Sequence, residues 1–401
     1  MNAFISQILS FILAIVSSMS MAFTPITEEI VKSNFDYATS FDQVVYEEQL
    51  VPTEDEDGWV FTTDRDIKVV QLTDIHIGGG SMSKDKDRKA MNAVAAMLTY
   101  EKPDLVILTG DMVYPVPFQA GTFNNSISTE MLITLLEKLG VYYAPVFGNH
   151  DSEAYSTHSR EEIADMWGAD DLNYSLFKKG PEDVDGVGNY IIKVKGTDGK
   201  VKNAFFLLDS NEYLDNDPMG LLGDYDRIHD NQIEWYRSRV EAIDAANDDG
   251  DAIFSSCVFF HIPLQEYDIA WKEFAANGYQ DTENVKYISG GYHEPDEAVC
   301  CSTESENFFE TMLELGSTKG VFVGHDHVNN AILNYKGINL VYGMSIDYLA
   351  YVNPVTNNIG PQRGCTVISL TQDGELSVSL ENYYQDKYVS KYEKESVSMD
   401  W

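Results

Sequence analysis

Along the chain, short dense apolar runs alternate with stretches whose apolar positions recur every three to four residues. "IKVVQLTDI" (67–75) is rich in β-branched residues and ends in polar ones, the pattern of a strand. "KDRKAMNAVAAMLTYEK" (86–102) has helical spacing and is followed by Pro103 as a stop. "DLVILTGDMV" (104–113) is almost wholly apolar, as a strand buried on both faces must be. "STEMLITLLEKLG" (128–140) predicts a helix opening at Ser128 and closing on Gly140, and "VYYAPVFGNHD" (141–151) a third strand running into a polar turn. The second half repeats the theme. A hairpin about Asp198-Gly199 lies within 189–211, a helix over 230–247, a buried strand over 255–264 and a helix over 307–317. Strands over 320–327 and 338–343 follow, then a terminal hairpin about Asp373-Gly374 within 364–384. This alternation predicts an α/β layered fold.

The flanks differ from this core. Residues 23–64 are polar and acidic, with "EDEDG" at 54–58, and are expected to wrap the main domain at 65–385, while 386–401 form a tail. Residues 1–22 carry no charged side chain, contain an apolar stretch, and place Ser20 and Ala22 at the minus-three and minus-one positions of a cleavage after Ala22. That predicts a signal peptide and a secreted or exported protein. A retained N-terminal membrane anchor is the alternative, the stretch being almost long enough to span. No other segment is, so stable membrane insertion elsewhere is not expected.

Composition narrows the function. Hydrophobic residues make up 44% and aromatics 12%, ample for a packed core. The formal net charge is −38, from 27 Lys+Arg against 65 Asp+Glu, a field that repels nucleic acid and anionic membranes. Oligomeric state is not read from these features. Of the four cysteines, Cys300 and Cys301 are adjacent, with Cα atoms about 3.8 Å apart, below the usual disulfide span of about 4.4–6.8 Å. Each could pair elsewhere, for example with Cys257 or Cys365, although those two sit in apolar runs where buried thiols are usual. No CxxC spacing exists.

The strand ends share one chemistry. "TDIH" supplies Asp74 and His76, "TGD" supplies Asp111, and "GNHD" supplies Asn149, His150 and Asp151. "FFHIP" supplies His261, and "GHDH" supplies His325 and His327 around Asp326. Taken singly, an aspartate after a strand is a turn residue and a histidine there is a core residue. Taken together, they sit at carboxyl ends of neighbouring strands, which in an α/β sheet face one crevice. Carboxylate, imidazole and amide ligands without cysteine suit Mn, Fe or Zn rather than a thiolate site. Seven ligands exceed one tetrahedral ion and match two ions with a shared carboxylate.

These blocks resemble the calcineurin-like metallophosphoesterase superfamily. Its D-x-H, G-D, G-N-H-[DE], lone His and G-H-x-H stand here, in order, as Asp74-Ile75-His76, Gly110-Asp111, Gly148-Asn149-His150-Asp151, His261 and Gly324-His325-Asp326-His327. The resemblance spans roughly residues 65–370, and "FFHIPL", "VFVGHDHVN", "VYG" and "RGCTV" are similar to the branch related to purple acid phosphatases. It implies a four-layer α-β-β-α sandwich of two mixed sheets. It implies two divalent or mixed-valence ions (Fe, Zn or Mn), one held by Asp74, His76 and His327, the other by Asn149, His261 and His325, with Asp111 bridging. The implied reaction is in-line attack of a metal-bound hydroxide on a phosphate ester. His150 would serve the leaving oxygen, oriented by a carboxylate that Asp151 could supply. "GDMVY" (110–114) matches the G-D-x-x-Y of purple acid phosphatases, whose tyrosinate binds ferric iron. Those enzymes carry glycine where this chain has His76, so His76 rather than Tyr114 is the expected ligand.

The implied activity is a phosphomonoesterase acting on a small phosphate ester or phosphoprotein. A phosphodiesterase of nucleotide or glycerophosphodiester type is the alternative, and a non-catalytic metal-binding scaffold a remote one, since every ligand position is kept. Selectivity is expected in the loops at 78–88, 114–127, 152–185, 211–230 and 265–305. Lys84, Lys86, Arg88 and Arg160 would touch phosphate oxygens or be solvated helix charges, and Asn211, Tyr213, Tyr267 and His293 would line the cleft.

Overall fold

In the central strands, successive side chains enter two different cores. Ala204, Phe206, Val258, Phe260, Val321, Val323, Leu340 and Tyr342 pack into one, while Phe205, Leu207, Cys257, Phe259, Phe322 and Val341 pack into the other. A period of two with both faces apolar is the mark of a sheet covered on both sides. The computed structural model describes residues 28–217, 220, 222–247, 254–304, 307–351 and 362–397. The signal-like segment at 1–22 lies outside them. Among the described residues no helix is long and apolar enough to cross a membrane.

The larger sheet has nine strands in the order β1 (Thr53–Asp55), β2 (Gly58–Thr62), β6 (Tyr190–Lys195), β7 (Val201–Leu207), β8 (Ser255–Phe259), β10 (Thr318–Val323), β12 (Ile338–Tyr342), β11 (Ile332–Tyr335) and β9 (Val285–Ser289). The smaller has five, β14 (Leu376–Asn382), β13 (Gly364–Leu370), β3 (Ile67–Leu72), β4 (Leu105–Thr109) and β5 (Tyr143–Val146). β7, β8, β10 and β12 run parallel, as do β3, β4 and β5, whereas β13 joins β3 antiparallel. Both sheets are therefore mixed. Gln71 of β3 donates to Thr109 Oγ1 within its own sheet and to Val323 O of the other, at 2.8 and 3.0 Å, tying the two layers face to face. Helices α2 (Lys84–Glu101) and α3 (Asn125–Leu139) cover the small sheet, and α5 (Asp230–Asn247), α6 (Gln265–Ala276) and α7 (Phe308–Leu315) the large one. This is the four-layer α-β-β-α sandwich.

Several local expectations shift. The polar extension holds a helix, α1 (Glu28–Ala38), and β2, which pairs in parallel with β6. Part of it is thus sheet rather than wrapping. The tail docks on α2, where Tyr388 donates to Glu101 at 2.7 Å and the Asn92 side-chain amide donates to Tyr392 O and accepts from Tyr392 N. α3 begins three residues before Ser128, because the Asn124 side chain accepts from Ile127 N and caps it, while Gly140 closes it at φ 69°. All four cysteines are free thiols.

Between the sheets, Phe259 is wholly buried, with Phe322 stacked at 4.8 Å and Phe205 edge-on at 6.1 Å. Truncation there leaves a cavity that two hydrogen-bonded sheets cannot close. Phe259→Ala should cost about 3–5 kcal/mol in denaturant unfolding; a loss under 1 kcal/mol would mean the layers repack freely.

Candidate metal centre

The seven ligand candidates stand just beyond the C-terminal ends of parallel strands: Asp74 and His76 after β3, Asp111 after β4, Asn149 after β5, His261 after β8, and His325 and His327 after β10. Each is 7% exposed or less. Bending the chain sharply enough to aim them inward forces unusual backbone. Asp74, His76, Asp111 and His325 have φ of 50°, 55°, 51° and 76°, a region that costs non-glycine residues about 1–3 kcal/mol each. The preceding glycines admit this crowding. A Cβ on Gly148 would lie 2.2 Å from Asp111 Oδ1, and one on Gly324 would lie 1.9 Å from Thr73 Oγ1.

Two groups result. Ligand atoms of Asp74, His76, Asp111 and His327 lie within 4.8 Å of one another, and so do those of Asp111, His261 and His325. Asp111 belongs to both. Its Oδ1 accepts from His150 N at 2.8 Å, whereas the buried Oδ2 has no hydrogen-bond partner and lies 3.5 Å from His76 Nε2 and 3.2 Å from His261 Nε2. His261 Nδ1 meets Thr109 O at 2.8 Å, so it donates there and turns Nε2 toward Asp111 and His325 Nδ1. Asn149 Nδ2 donates to Tyr213 Oη at 2.8 Å, leaving a buried Oδ1 unpartnered. His76 Nε2 is also buried without a partner. Buried acceptors facing one another, with few donors between them, are the chemistry a cation satisfies. The residues therefore fit two metal ions with a shared carboxylate.

The charges of the metal-free protein agree. Burial depresses His76, and burial with His261 nearby pushes His325 well down. At His261 burial opposes charge, but Asp111 outweighs it and lifts the ring to about 9; at His327 burial is likewise outweighed, and Asp74 and Asp347 hold the ring well above its ordinary range. Burial would raise Asp111, yet His261 and His150 hold it well below its ordinary range. One imidazole in each group thus bears a proton where a metal would sit.

Other residues hold the ligands in place. Asp347, beyond β12, places Oδ2 3.2 Å from His327 Nδ1 and Oδ1 3.9 Å from His76 Nδ1, while accepting from the backbone N–H groups of Leu349, Ala350 and Tyr351. It fixes the His327 ring with Nε2 turned toward Asp74, the orientation in which it would hold an ion. Asp87 of α2 accepts from Gly78 N and Gly79 N at 2.7 and 3.0 Å, fixing the loop after His76. Asp326 turns away from the centre and receives Tyr342 Oη at 2.6 Å. Tyr114 stacks on His76 at 5.0 Å, and its hydroxyl interacts with the Gln119 side chain.

The orienting carboxylate of His150 is Glu153, not Asp151. Glu153 Oε1 lies 2.6 Å from His150 Nδ1 and accepts from Tyr213 Oη at 3.2 Å. Asp151 instead accepts from the backbone N–H groups of Gly148, Asp111 and Val113 at 2.8–3.0 Å, clamping the β5 loop to the β4 loop. A carboxylate saturated by three N–H groups has no geometry left for the ring. Arg160 is likewise structural. It pairs with Asp209, donates to Gly148 O and Glu212 at 2.8 Å, and pins the GNHD turn from behind. Arg88 is drawn away to Ser33 and the Tyr37 ring. Tyr213 reaches the site, whereas Tyr267 is core, donating to Val321 O, and Asn211 binds Arg227 O. Glu153 and Asp347 escape a sequence reading because their signal, an acid within one turn of a ligand or beyond an apolar strand, is too common to single them out.

A binuclear site at the strand ends of a two-sheet sandwich defines a class of metallohydrolases, and the comparisons narrow it. The family described as Calcineurin-like phosphoesterase matches residues 67–329. The chain belongs to that family. Two relatives in Arabidopsis thaliana bear the names "Probable inactive purple acid phosphatase 29", 26% identical and covering 73% of this chain and 74% of their own, and "Probable inactive purple acid phosphatase 28", 25% identical and covering 84% of both. A third, "Phosphatase DCR2" of Saccharomyces cerevisiae, is 30% identical over 68% of this chain and 46% of its own length.

Two outcomes test the centre. Because His261 is raised from 6.5 to about 9, its proton stabilises the metal-free protein fully below pH 6.5 and that contribution fades as pH rises through about 9. A metal must displace that proton, so zinc or manganese affinity should climb between pH 6 and 9, with proton release seen by calorimetry in two buffers; pH-independent affinity would contradict this site. Glu153→Gln should lower kcat about 10–100-fold with metal content unchanged, whereas Asp151→Asn should act mainly on stability.

Proposed function

We propose that this protein is a dinuclear metal-dependent phosphatase that hydrolyses phosphate monoesters. The observation that carries the reading is the position of His150. Among the histidines gathered here its side chain alone is appreciably exposed, at 24%, and its Nε2 lies 4.0 Å from the Asp111 oxygen common to both ligand groups. Glu153 accepts from Nδ1–H, so Nε2 carries a proton only when the ring is charged; burial opposes that form, but Asp111 and Glu153 favour it and raise the ring, and its Nε2–H could then serve the leaving oxygen of an ester held against the centre. Asp74, His76 and His327 would hold one ion and Asn149, His261 and His325 the other, with Asp111 shared between them. Two divalent ions so held supply Lewis-acid stabilisation of the phosphoryl oxygens and a nucleophile at neutral pH. Hydrogen bonding or proton donation by His150 then assists departure of the alcohol.

The word "inactive" in two relatives' names raises a non-catalytic scaffold as the rival. The complete ligand set and the His150–Glu153 pair support catalysis instead. A diesterase differs from a monoesterase only in what the mouth admits, so paired substrates decide between them. The leader-like segment at 1–22 supports export, which N-terminal sequencing of protein from the culture medium would check.

With Mn, Zn or Fe restored, p-nitrophenyl phosphate should turn over faster than its bis ester, and chelation should abolish both activities. His150→Ala should lose about 10²–10⁴ in kcat while retaining metal, and Asp111→Asn should lose metal and activity together. Full activity in both variants would refute the mechanism.

A further inference from the structure

The walls of the mouth are phenols and carboxylates. Tyr225 stands edge-on to His325 at 4.4 Å, Tyr351 tilts over His327 at 4.1 Å, and Tyr114 lies edge-on to His150 at 4.8 Å. Tyr213 stacks on Tyr225 at 5.7 Å, and the two residues share a backbone bridge that brings their loop to the centre. All four rings are partly exposed. Glu294 completes one side. It is 9% exposed, its Oε1 receives a long contact from Val328 N at 3.4 Å and its N–H donates to Asn329 Oδ1 at 3.1 Å, which ties it to the two residues that follow His327, the ring under Tyr351.

Among the described residues, the arginines of the loops around this mouth are already engaged. Arg160 is held by Asp209 and Glu212, Arg227 by Glu304 at 3.0 Å, and Arg363 reaches Ile346 O, Asp347 O and the Tyr348 ring. Any negative charge on a leaving group would meet Glu294 and Glu153 within a chain of net charge −38. A positive charge would meet a carboxylate and aromatic faces, the combination that binds ammonium groups.

Resting on the phosphatase reading above, we propose that the preferred substrates are phosphate esters whose leaving group carries an alkylammonium charge, seated between Tyr225, Tyr351 and Glu294. The phosphoryl group would sit at the metal centre, and the cation over the side of the centre formed by His325 and His327. Hydrolysis transfers the phosphoryl group to water and releases the amino alcohol with its charge unchanged.

Phosphocholine and 3,3-dimethylbutyl phosphate differ only in a quaternary nitrogen against a quaternary carbon. The metal-loaded protein should show kcat/KM at least about tenfold higher for phosphocholine. Glu294→Gln and Tyr225→Leu should each collapse that ratio toward one, while Tyr225→Phe keeps it. The ratio is read within each variant, so a general loss of activity does not imitate the effect. Equal rates for the two esters, or preference for the neutral one, would overturn the proposal while leaving the phosphatase reading intact. If no ester is hydrolysed, p-nitrophenyl phosphate included, the phosphatase reading fails. The seat is then judged by titrating tetramethylammonium against neopentyl alcohol: binding of the cation that Glu294→Gln abolishes would uphold it, and no binding would refute it.

Discussion

The governing constraint on this molecule is the desolvation of a cluster of acceptors. Asp111 Oδ2, Asn149 Oδ1 and the ring nitrogens of His76 and His261 converge in a space from which water is largely excluded. Carboxylates in such surroundings tend to take up protons and imidazoles to shed them. The protein counters this with the groups themselves, each acid holding a proton on one neighbouring imidazole. That arrangement is a placeholder in electrostatic form, since the protons offset the carboxylate charge until a cation replaces them.

Rigid scaffolding is what keeps those points apart and fixed. The ligands come from strands in both sheets, so their spacing is set by the packing of one sheet on the other through residues such as Gln71 and Phe259. Strained turns at Asp74, Asp111 and His325 survive because backbone N–H groups are bound by Asp151, Asp87 and Asp74 itself. A looser support would let the turns relax, and the ligand atoms would separate by more than a metal could bridge.

How much could be read from the sequence follows the same division. Strands buried on both faces announce themselves as apolar runs, and polar ligands at their ends stand out by contrast. Asp74, Asp111, His261 and the His325–His327 pair were visible for that reason. Residues acting through tertiary contacts were not. Glu153 is separated from His150 by Asp151 and Ser152, and adjacency favoured the wrong acid. α6 was absorbed into a long loop because its acids, aromatics and Lys272 obscure the stripe of Tyr267, Ala270, Trp271 and Phe274 that packs on the large sheet. β2 in the extension spans five residues and owes its strand conformation to β6.

The position of the last hairpin has a consequence for how the protein is made. β13 lies between β14 and β3, so the strand bearing Asp74 gains its second neighbour only from residues roughly three hundred positions later. A nascent chain emerging at about 5–20 residues per second therefore carries its first ligands for tens of seconds beside an unfinished sheet edge. During that interval the edge of β3 is open to mispairing, and the half-built cluster can take up stray ions without the geometry to use them. Completion of the centre in this sense waits on β13, long after the first ligands have been made.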